Sequence, residues 1–232
     1  PGAARGHAGS APRAAPPSSS PGLYEMRSYS VRPGLAPAYA AACAATYQMG
    51  AARAHLHALD ICHADIKPAN VLLSASAPPF TAKVADLGEA RFKSVGDAEG
   101  MTMVGTPVYT APEILSGEGY DERVDVYSFG IMLNEMFARR APYSTAGRNF
   151  SPFSVVQRSV RPRPFEPLET LTSGGSALLK TIIFKCWHRS SDRRPPIDII
   201  CLSLEEVATG GEDFNWDGAW KPAPGVAANS LL

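Results

Sequence analysis

The stretch His63-Ala64-Asp65-Ile66-Lys67-Pro68-Ala69-Asn70 runs on into Val71-Leu72-Leu73 and, 16 residues past Asn70, reaches Asp86-Leu87-Gly88. These residue types suit the movement of a phosphoryl group. That chemistry needs an acceptor hydroxyl aligned, its proton received and the developing charge matched by cations. Asp65 suits the first two tasks and Lys67 can neutralise the moving phosphate. Asn70 and Asp86 offer the oxygen ligands that a hard ion such as Mg²⁺ prefers when it bridges nucleotide phosphates. Taken singly, Asp and Asn in loops are most often turn residues or caps; their combination with Lys67 is what singles these out.

Two short β-type runs, 71–73 and 83–87, flank a turn containing Pro78 and Pro79 and predict a hairpin. Asn70 precedes the first run and Asp86 closes the second, so antiparallel pairing would gather them into one metal site. Upstream, 38–58 is alanine-rich, with Tyr39, Cys43, Tyr47, Gly50, Ala54 and His57 recurring at steps of three and four, the pattern of a half-buried helix. Beyond Glu113 the periodicity predicts helices over 124–138, 153–159, 175–187 and 196–207, with Pro- and Arg-rich loops between them. The expected fold is mainly α with a small β-hairpin element, α+β overall.

Residues 1–22 are almost wholly Pro, Gly, Ala, Ser and Arg, a composition that cannot bury enough apolar surface to offset chain ordering. The expected division is a low-complexity linker over 1–37, a folded unit over 38–208 and a polar tail over 209–232. Lys plus Arg number 22 against 22 Asp plus Glu, so net charge gives no steering toward nucleic acid or anionic lipid. The four cysteines, Cys43, Cys62, Cys186 and Cys201, are widely spaced and read as reduced thiols. Apolar runs fall short of the roughly 20 residues that span a bilayer. A cytoplasmic, intracellular setting is the expectation, and a chain starting at Pro1 reads as a fragment.

At this point a family resemblance emerges. The first segment resembles the H-R-D-L-K-P-x-N catalytic loop of eukaryotic protein kinases, and Asp86-Leu87-Gly88 resembles their D-F-G magnesium motif. Gly105-Thr106-Pro107-Val108-Tyr109-Thr110-Ala111-Pro112-Glu113 is similar to the G-T-P-x-Y-x-A-P-E end of the activation segment. Asp125-Val126-Tyr127-Ser128-Phe129-Gly130 is similar to the start of the large central helix, and Cys186-Trp187 followed by Arg194-Pro195 to the C-W…R-P stretch. The resemblance implies a protein-kinase-like C-terminal lobe that uses ATP and Mg²⁺ to phosphorylate a protein substrate. Asp65 would be the catalytic base, Lys67 the phosphate contact, Asn70 and Asp86 the magnesium ligands, and Leu72 part of the floor beneath adenine. Thr106 would orient the catalytic loop through its hydroxyl, and His63 would brace it. Glu113 and Arg194 would form a buried ion pair, and Asp125 would hold the catalytic loop through backbone hydrogen bonds. Lys67 together with Gly105-Thr106-Pro107 is the serine/threonine form, nearest in wording to the tyrosine-kinase-like group.

The chain departs from the pattern in four places. Ala64 replaces the usual arginine, removing the cation that reads an activation-segment phosphate; Thr102, a possible phosphosite, would need Arg91 or Lys93 instead. Leu87 replaces phenylalanine while keeping an apolar anchor beside Asp86. No glycine-rich phosphate loop is recognisable, and no lysine precedes Lys67, so the ATP-clamping N-lobe or other upstream domains would have to come from elsewhere. Leu23-Tyr24-Glu25-Met26 is a possible hinge remnant. The missing lysine clamp gives the alternative: a catalytically inactive, pseudokinase-like binding or scaffold module. His55, His57 and His63 lack zinc-like partners and read as packing residues. The Arg158 to Arg163 cluster reads as a solvated loop, and Trp216 and Trp220 as packing on the lobe or marking a tail contact.

Overall fold

The computed structural model describes residues 24–25, 48, 50, 56–75, 81–92, 105–138, 140–144, 151–162, 173–209 and 213–221. Short strands come first: β1 (Tyr24–Glu25), β2 (Ile61–Cys62), β3 (Val71–Leu73), β4 (Ala82–Val84) and β5 (Arg91–Phe92). Helices follow: α1 (Pro112–Ser116), α2 (Arg123–Ala138), α3 (Pro152–Arg158), α4 (Ser173–Cys186), α5 (Ile197–Ala208) and α6 (Trp216–Ala219). Within 38–58, positions 48, 50 and 56–58 are helical, and the rest of that expected helix lies outside the described residues.

The strands make two antiparallel ribbons. One has the order β1-β3-β4, with Leu72 between Glu25 and Lys83; in the other, Ile61 faces Phe92 and Cys62 faces Arg91. Of the segment read as linker, Tyr24 and Glu25 therefore form a strand, and the remainder lies outside the described residues. The second arm of the hairpin is shorter than the sequence suggests. It ends at Val84, the ladder closes with the Ala85 amide donating to the Asn70 carbonyl at 2.9 Å, and Asp86 at φ 65 turns the chain away, a backbone state incompatible with a strand.

Helix α2 organises the core. Every residue from Val124 to Asn134 is buried, because a helix apolar nearly all round must be enclosed by its neighbours. It packs on α4, and α4 packs on α5. Helix α5 is one-sided: Ile197, Ile200, Cys201, Leu204 and Val207 are buried at steps of three and four, while Glu205 and Glu206 face solvent. At Gly130 a Cβ would stand 2.6 Å from the Cys186 Cβ, so the missing side chain is what lets α2 and α4 approach. Helix α1 starts with Pro112 in its first turn and ends in a paired cap, the Glu118 amide reaching the Glu113 carbonyl at 2.9 Å and the Gly117 amide the Ile114 carbonyl at 3.1 Å.

Two expectations change. The stretch after α3 is not simply solvated: Arg161 is half-buried, its Cζ 5.1 Å from the Tyr127 ring centroid, and its Nε donates to the Trp187 carbonyl at 2.8 Å. A planar guanidinium stacks on an aromatic face more favourably than it sits free in a crowded positive loop. The region read as a polar tail contains α6, whose Trp216 packs on the core, meets Phe214 edge-on at 4.8 Å and carries the Lys185 ammonium 4.7 Å from its ring centroid. Among the described residues no helix is long and apolar enough to cross a membrane.

Gly130→Ala should press its methyl into Cys186 and cost about 1–3 kcal/mol of unfolding free energy, read from urea denaturation of the purified chain. An unchanged midpoint would show that α2 and α4 do not meet there.

Candidate active site

Asp65 is 7% exposed and sits where the chain enters the 3-10 turn Pro68–Asn70, so its carboxylate is held by neighbours rather than by water. Its Oδ1 accepts from the Thr106 amide at 3.0 Å and the Thr106 hydroxyl at 2.9 Å. Its Oδ2 accepts from the Lys67 ammonium and from Asn70 Nδ2 at 3.0 Å. The same Asn70 amide group also donates to the Asp65 carbonyl at 2.8 Å, and Lys67 Nζ also donates to Thr106 Oγ1 at 2.9 Å. Four residues from two separated segments thus form one hydrogen-bonded cluster.

The loop that presents Asp65 is strained and tied down. Ala64 is buried with φ 62, a left-handed state that costs a non-glycine residue on the order of 1–3 kcal/mol. Asp125, fully buried in the first turn of α2, counters this: its Oδ1 accepts from the Ala64 amide and its Oδ2 from the His63 amide, both at 2.8 Å. His57 Nε2 lies 3.0 Å from the same Oδ2. The His63 ring takes the Asp65 amide on Nδ1 at 3.4 Å, which leaves Nε2 to donate to the Ala85 carbonyl at 3.1 Å and so ties the loop to the segment carrying Asp86. Gly105, at φ 88, passes so close that a Cβ there would lie 2.6 Å from the Ala64 carbonyl oxygen.

Asp86 directly follows Ala85, whose amide donates to the Asn70 carbonyl at 2.9 Å, and φ 65 at Asp86 then turns the chain out of the ladder. With its NH₂ group committed to Asp65, the Asn70 side chain has its carbonyl oxygen left for a ligand. Asp86 is exposed, and its Oδ1 accepts only a long bond from the Gly88 amide at 3.3 Å. An amide oxygen beside an exposed carboxylate fits a hard, oxygen-seeking cation that keeps several water or phosphate ligands. Leu72 is half-buried on the central strand of the ribbon. Leu87, expected to be an apolar anchor, is instead 55% exposed, because no described residue covers it. Thr102 lies outside the described residues.

A second cluster fixes the segment that carries Thr106. Arg194 is fully buried, and all its donor positions are used: Nη1 and Nη2 grip the two Glu113 oxygens, Nη1 also reaches the Arg123 carbonyl, Nη2 the Arg189 carbonyl and Nε the His188 carbonyl. Its guanidinium lies 5.0 Å from the Tyr127 ring centroid, and burial pushes the Tyr127 phenol above its ordinary pKa. Nearby, Tyr109 donates to the Glu135 carboxylate at 2.5 Å, and Ser128 Oγ donates to the Tyr109 carbonyl at 2.9 Å. Sequence reasoning missed the roles of His57, Ser128 and Tyr109. The one signal for His57 is a polar residue on the otherwise apolar face of the 38–58 helix.

A protein kinase domain family model matches residues 29–203. Two Dictyostelium discoideum proteins named as probable LIM domain-containing serine/threonine-protein kinases are 39% and 38% identical over 155 residues each, 66% of this chain. A protein kinase and PP2C-like domain-containing protein of Arabidopsis thaliana is 30% identical over 188 residues, 70% of this chain. The chain spans 15%, 22% and 28% of the lengths of these three relatives.

Arg194→Met removes half of a buried pair and strands the Glu113 carboxylate, with an expected loss of about 3–5 kcal/mol in urea denaturation. Arg123→Ala, whose partners Asp121 and Asp192 lie toward solvent, should cost under about 1 kcal/mol in the same assay. A pH effect follows from His188, whose imidazole pKa is lowered by burial, opposed by a Ser190 backbone hydrogen bond and aided by Arg193, Arg194 and Arg161. A histidine with a depressed folded pKa contributes stability that is complete above its unfolded value of about 6.5 and drains away as pH falls through the folded value. Stability should therefore decline on acidification below about pH 6.5, with a slope that His188→Gln reduces.

Proposed function

We propose, from the premise that this chain belongs to the protein kinase domain family, that it is the C-terminal lobe of a serine/threonine protein kinase that moves the γ-phosphate of ATP to a protein hydroxyl. The observation that carries this reading is the cluster of Asp65, Lys67, Asn70 and Thr106, with Asp86 next in the chain to Ala85, the residue hydrogen-bonded to Asn70. Within the family, the wording of α2 from Asp125 to Gly130 and the Cys186-Trp187 pair favour the tyrosine-kinase-like group.

In this reading Asp65 receives the proton of the attacking Ser or Thr hydroxyl on Oδ2. All its acceptor positions are filled in the resting site, and Lys67 is the donor free to leave, being a long flexible ammonium. When Lys67 turns to the transferring phosphate it opens Oδ2 to the substrate and brings positive charge to where negative charge develops. Thr106 keeps Oδ1 fixed, so the carboxylate does not rotate as its partner departs. Asn70 Oδ1 and the Asp86 carboxylate would hold Mg²⁺, which would supply positive charge against the nucleotide phosphates. Leu72, beside β1, would lie under the adenine. An upstream N-lobe supplies the remaining nucleotide contacts, and the setting is cytoplasmic. Thr102 is a phosphosite whose effect runs through a cation other than residue 64.

A binding or scaffold role, in which the lobe docks a partner without turnover, is the alternative. Turnover distinguishes the two. In the longer protein that contains this chain, Asp65→Asn should lower kcat toward Ser/Thr peptides by about 10²–10⁴-fold with little change in KM for ATP; unchanged turnover would exclude Asp65 as the base. The 232-residue chain alone should transfer no measurable phosphate to a basic protein, and transfer abolished by Asp65→Ala would contradict that.

A further inference from the structure

Cationic and anionic side chains balance over the whole chain, yet the loop between α4 and α5, together with the residues that follow α3, is strongly uneven. Arg161 Nε donates to the Trp187 carbonyl and Arg194 Nε to the His188 carbonyl, both at 2.8 Å, and Arg193 directly precedes Arg194. Arg189 follows His188 in the chain, and its Nη1 donates to Ser159 Oγ at 2.9 Å. Of these four guanidiniums, Arg194 is matched by Glu113. Asp192, the carboxylate of the same loop, is turned to Arg123 at 3.2 Å.

Among the described residues, Arg161, Arg189 and Arg193 meet no carboxylate. Arg161 spends Nε and Nη1 on the backbone carbonyls of Trp187 and Val160, which leaves Nη2 uncommitted. Arg189 is exposed, Arg193 is half-exposed, and Val160 beside them is 38% exposed. Arg189 and Arg193 concentrate positive charge on one loop, and an incoming anion relieves the resulting repulsion. Their planar forks match carboxylates two oxygens at a time.

We propose that residues 159–161, with Arg189 and Arg193, form a docking surface for an acidic segment of a protein partner. Carboxylates meet Arg189 and Arg193, and an apolar residue of the partner covers Val160. An acidic peptide fits better than a nucleic acid because the charge is confined to one loop junction and the chain as a whole is neutral, whereas a polyanionic backbone calls for an extended basic stripe. The surface uses none of the residues assigned to phosphoryl transfer, so binding can be measured without turnover.

The test is fluorescence anisotropy of the 232-residue chain with a labelled peptide of glutamates around a single leucine. The combined Arg189→Glu and Arg193→Glu variant should bind about tenfold more weakly or worse, the corresponding Arg→Lys pair should retain part of the affinity, and added salt should weaken the wild-type complex. Lys83→Glu, a charge reversal on exposed β4, should leave binding unchanged, and the glutamine version of the peptide should not bind. Equal affinity for the wild type and the double Glu variant would overturn the proposal. So would an equal loss with Lys83→Glu, or tighter binding of a single-stranded RNA than of the peptide. Should the double variant unfold, Arg189→Glu alone gives the same reading, since that side chain is exposed and touches only Ser159.

Discussion

The carboxylate of Asp125 is the point on which the rest of the site hangs. It is buried beyond reach of solvent, an arrangement that is costly unless every oxygen is matched. The matching groups are the backbone amides of His63 and Ala64 and the ring of His57. Its place in the first turn of α2 adds the favourable field of a helix N-terminus. Because both amides belong to the residues just before Asp65, the burial of one charge in the central helix sets the direction of the loop that presents Asp65. The left-handed backbone at Ala64 persists because those bonds outweigh it.

A second buried charge performs the matching task for the other half of the cluster. Glu113 opens α1 a few residues after Thr106, and Arg194 holds it from the far side of the core. The Tyr127 ring lies against both Arg194 and Arg161, and Tyr127 is two residues beyond Asp125 on the same helix. Helix α2 touches both segments that meet at Asp65: its Asp125 holds His63 and Ala64, while its Tyr127 lies against Arg194 and its Ser128 donates to the Tyr109 carbonyl. The Asp125 carboxylate on α2 and the Glu113–Arg194 pair, which joins α1 to the chain before α5, thus hold the two segments whose Asp65 and Thr106 touch.

Much of this was legible from residue order. Helices α2 to α5 follow the three-and-four spacing of their apolar residues, and the structure moves their ends by no more than a residue or two, while α1 and α6 carry no such spacing. The polar residues of the cluster stood out because their types fit one reaction. What the sequence hid depends on backbone state and on distant packing. Nothing local marks Ala64 or Asp86 as left-handed, since neither is glycine. The stacking of Arg161 on Tyr127 depends on how the chain returns from α3, so composition alone suggested a solvated loop. Leu87 looked like an anchor because it is apolar, but its exposure depends on what covers it. Residues 213–221 read as polar by average apart from their tryptophans, and the short helix α6 there, with Phe214 and Trp216 against the core, was not legible.

The central claim is that one carboxylate serves as base while an amide oxygen and a second carboxylate share a metal ion beside it. A crystal structure of this chain joined to a nucleotide-clamping kinase N-lobe, with Mg²⁺ and a non-hydrolysable ATP analogue, tests this most directly. The account predicts Asn70 Oδ1 and an Asp86 carboxylate oxygen on the same ion, at about 2.0–2.1 Å, with Lys67 moved from Asp65 to the γ-phosphate. A nucleotide bound elsewhere, or Asn70 and Asp86 facing different pockets, would contradict it.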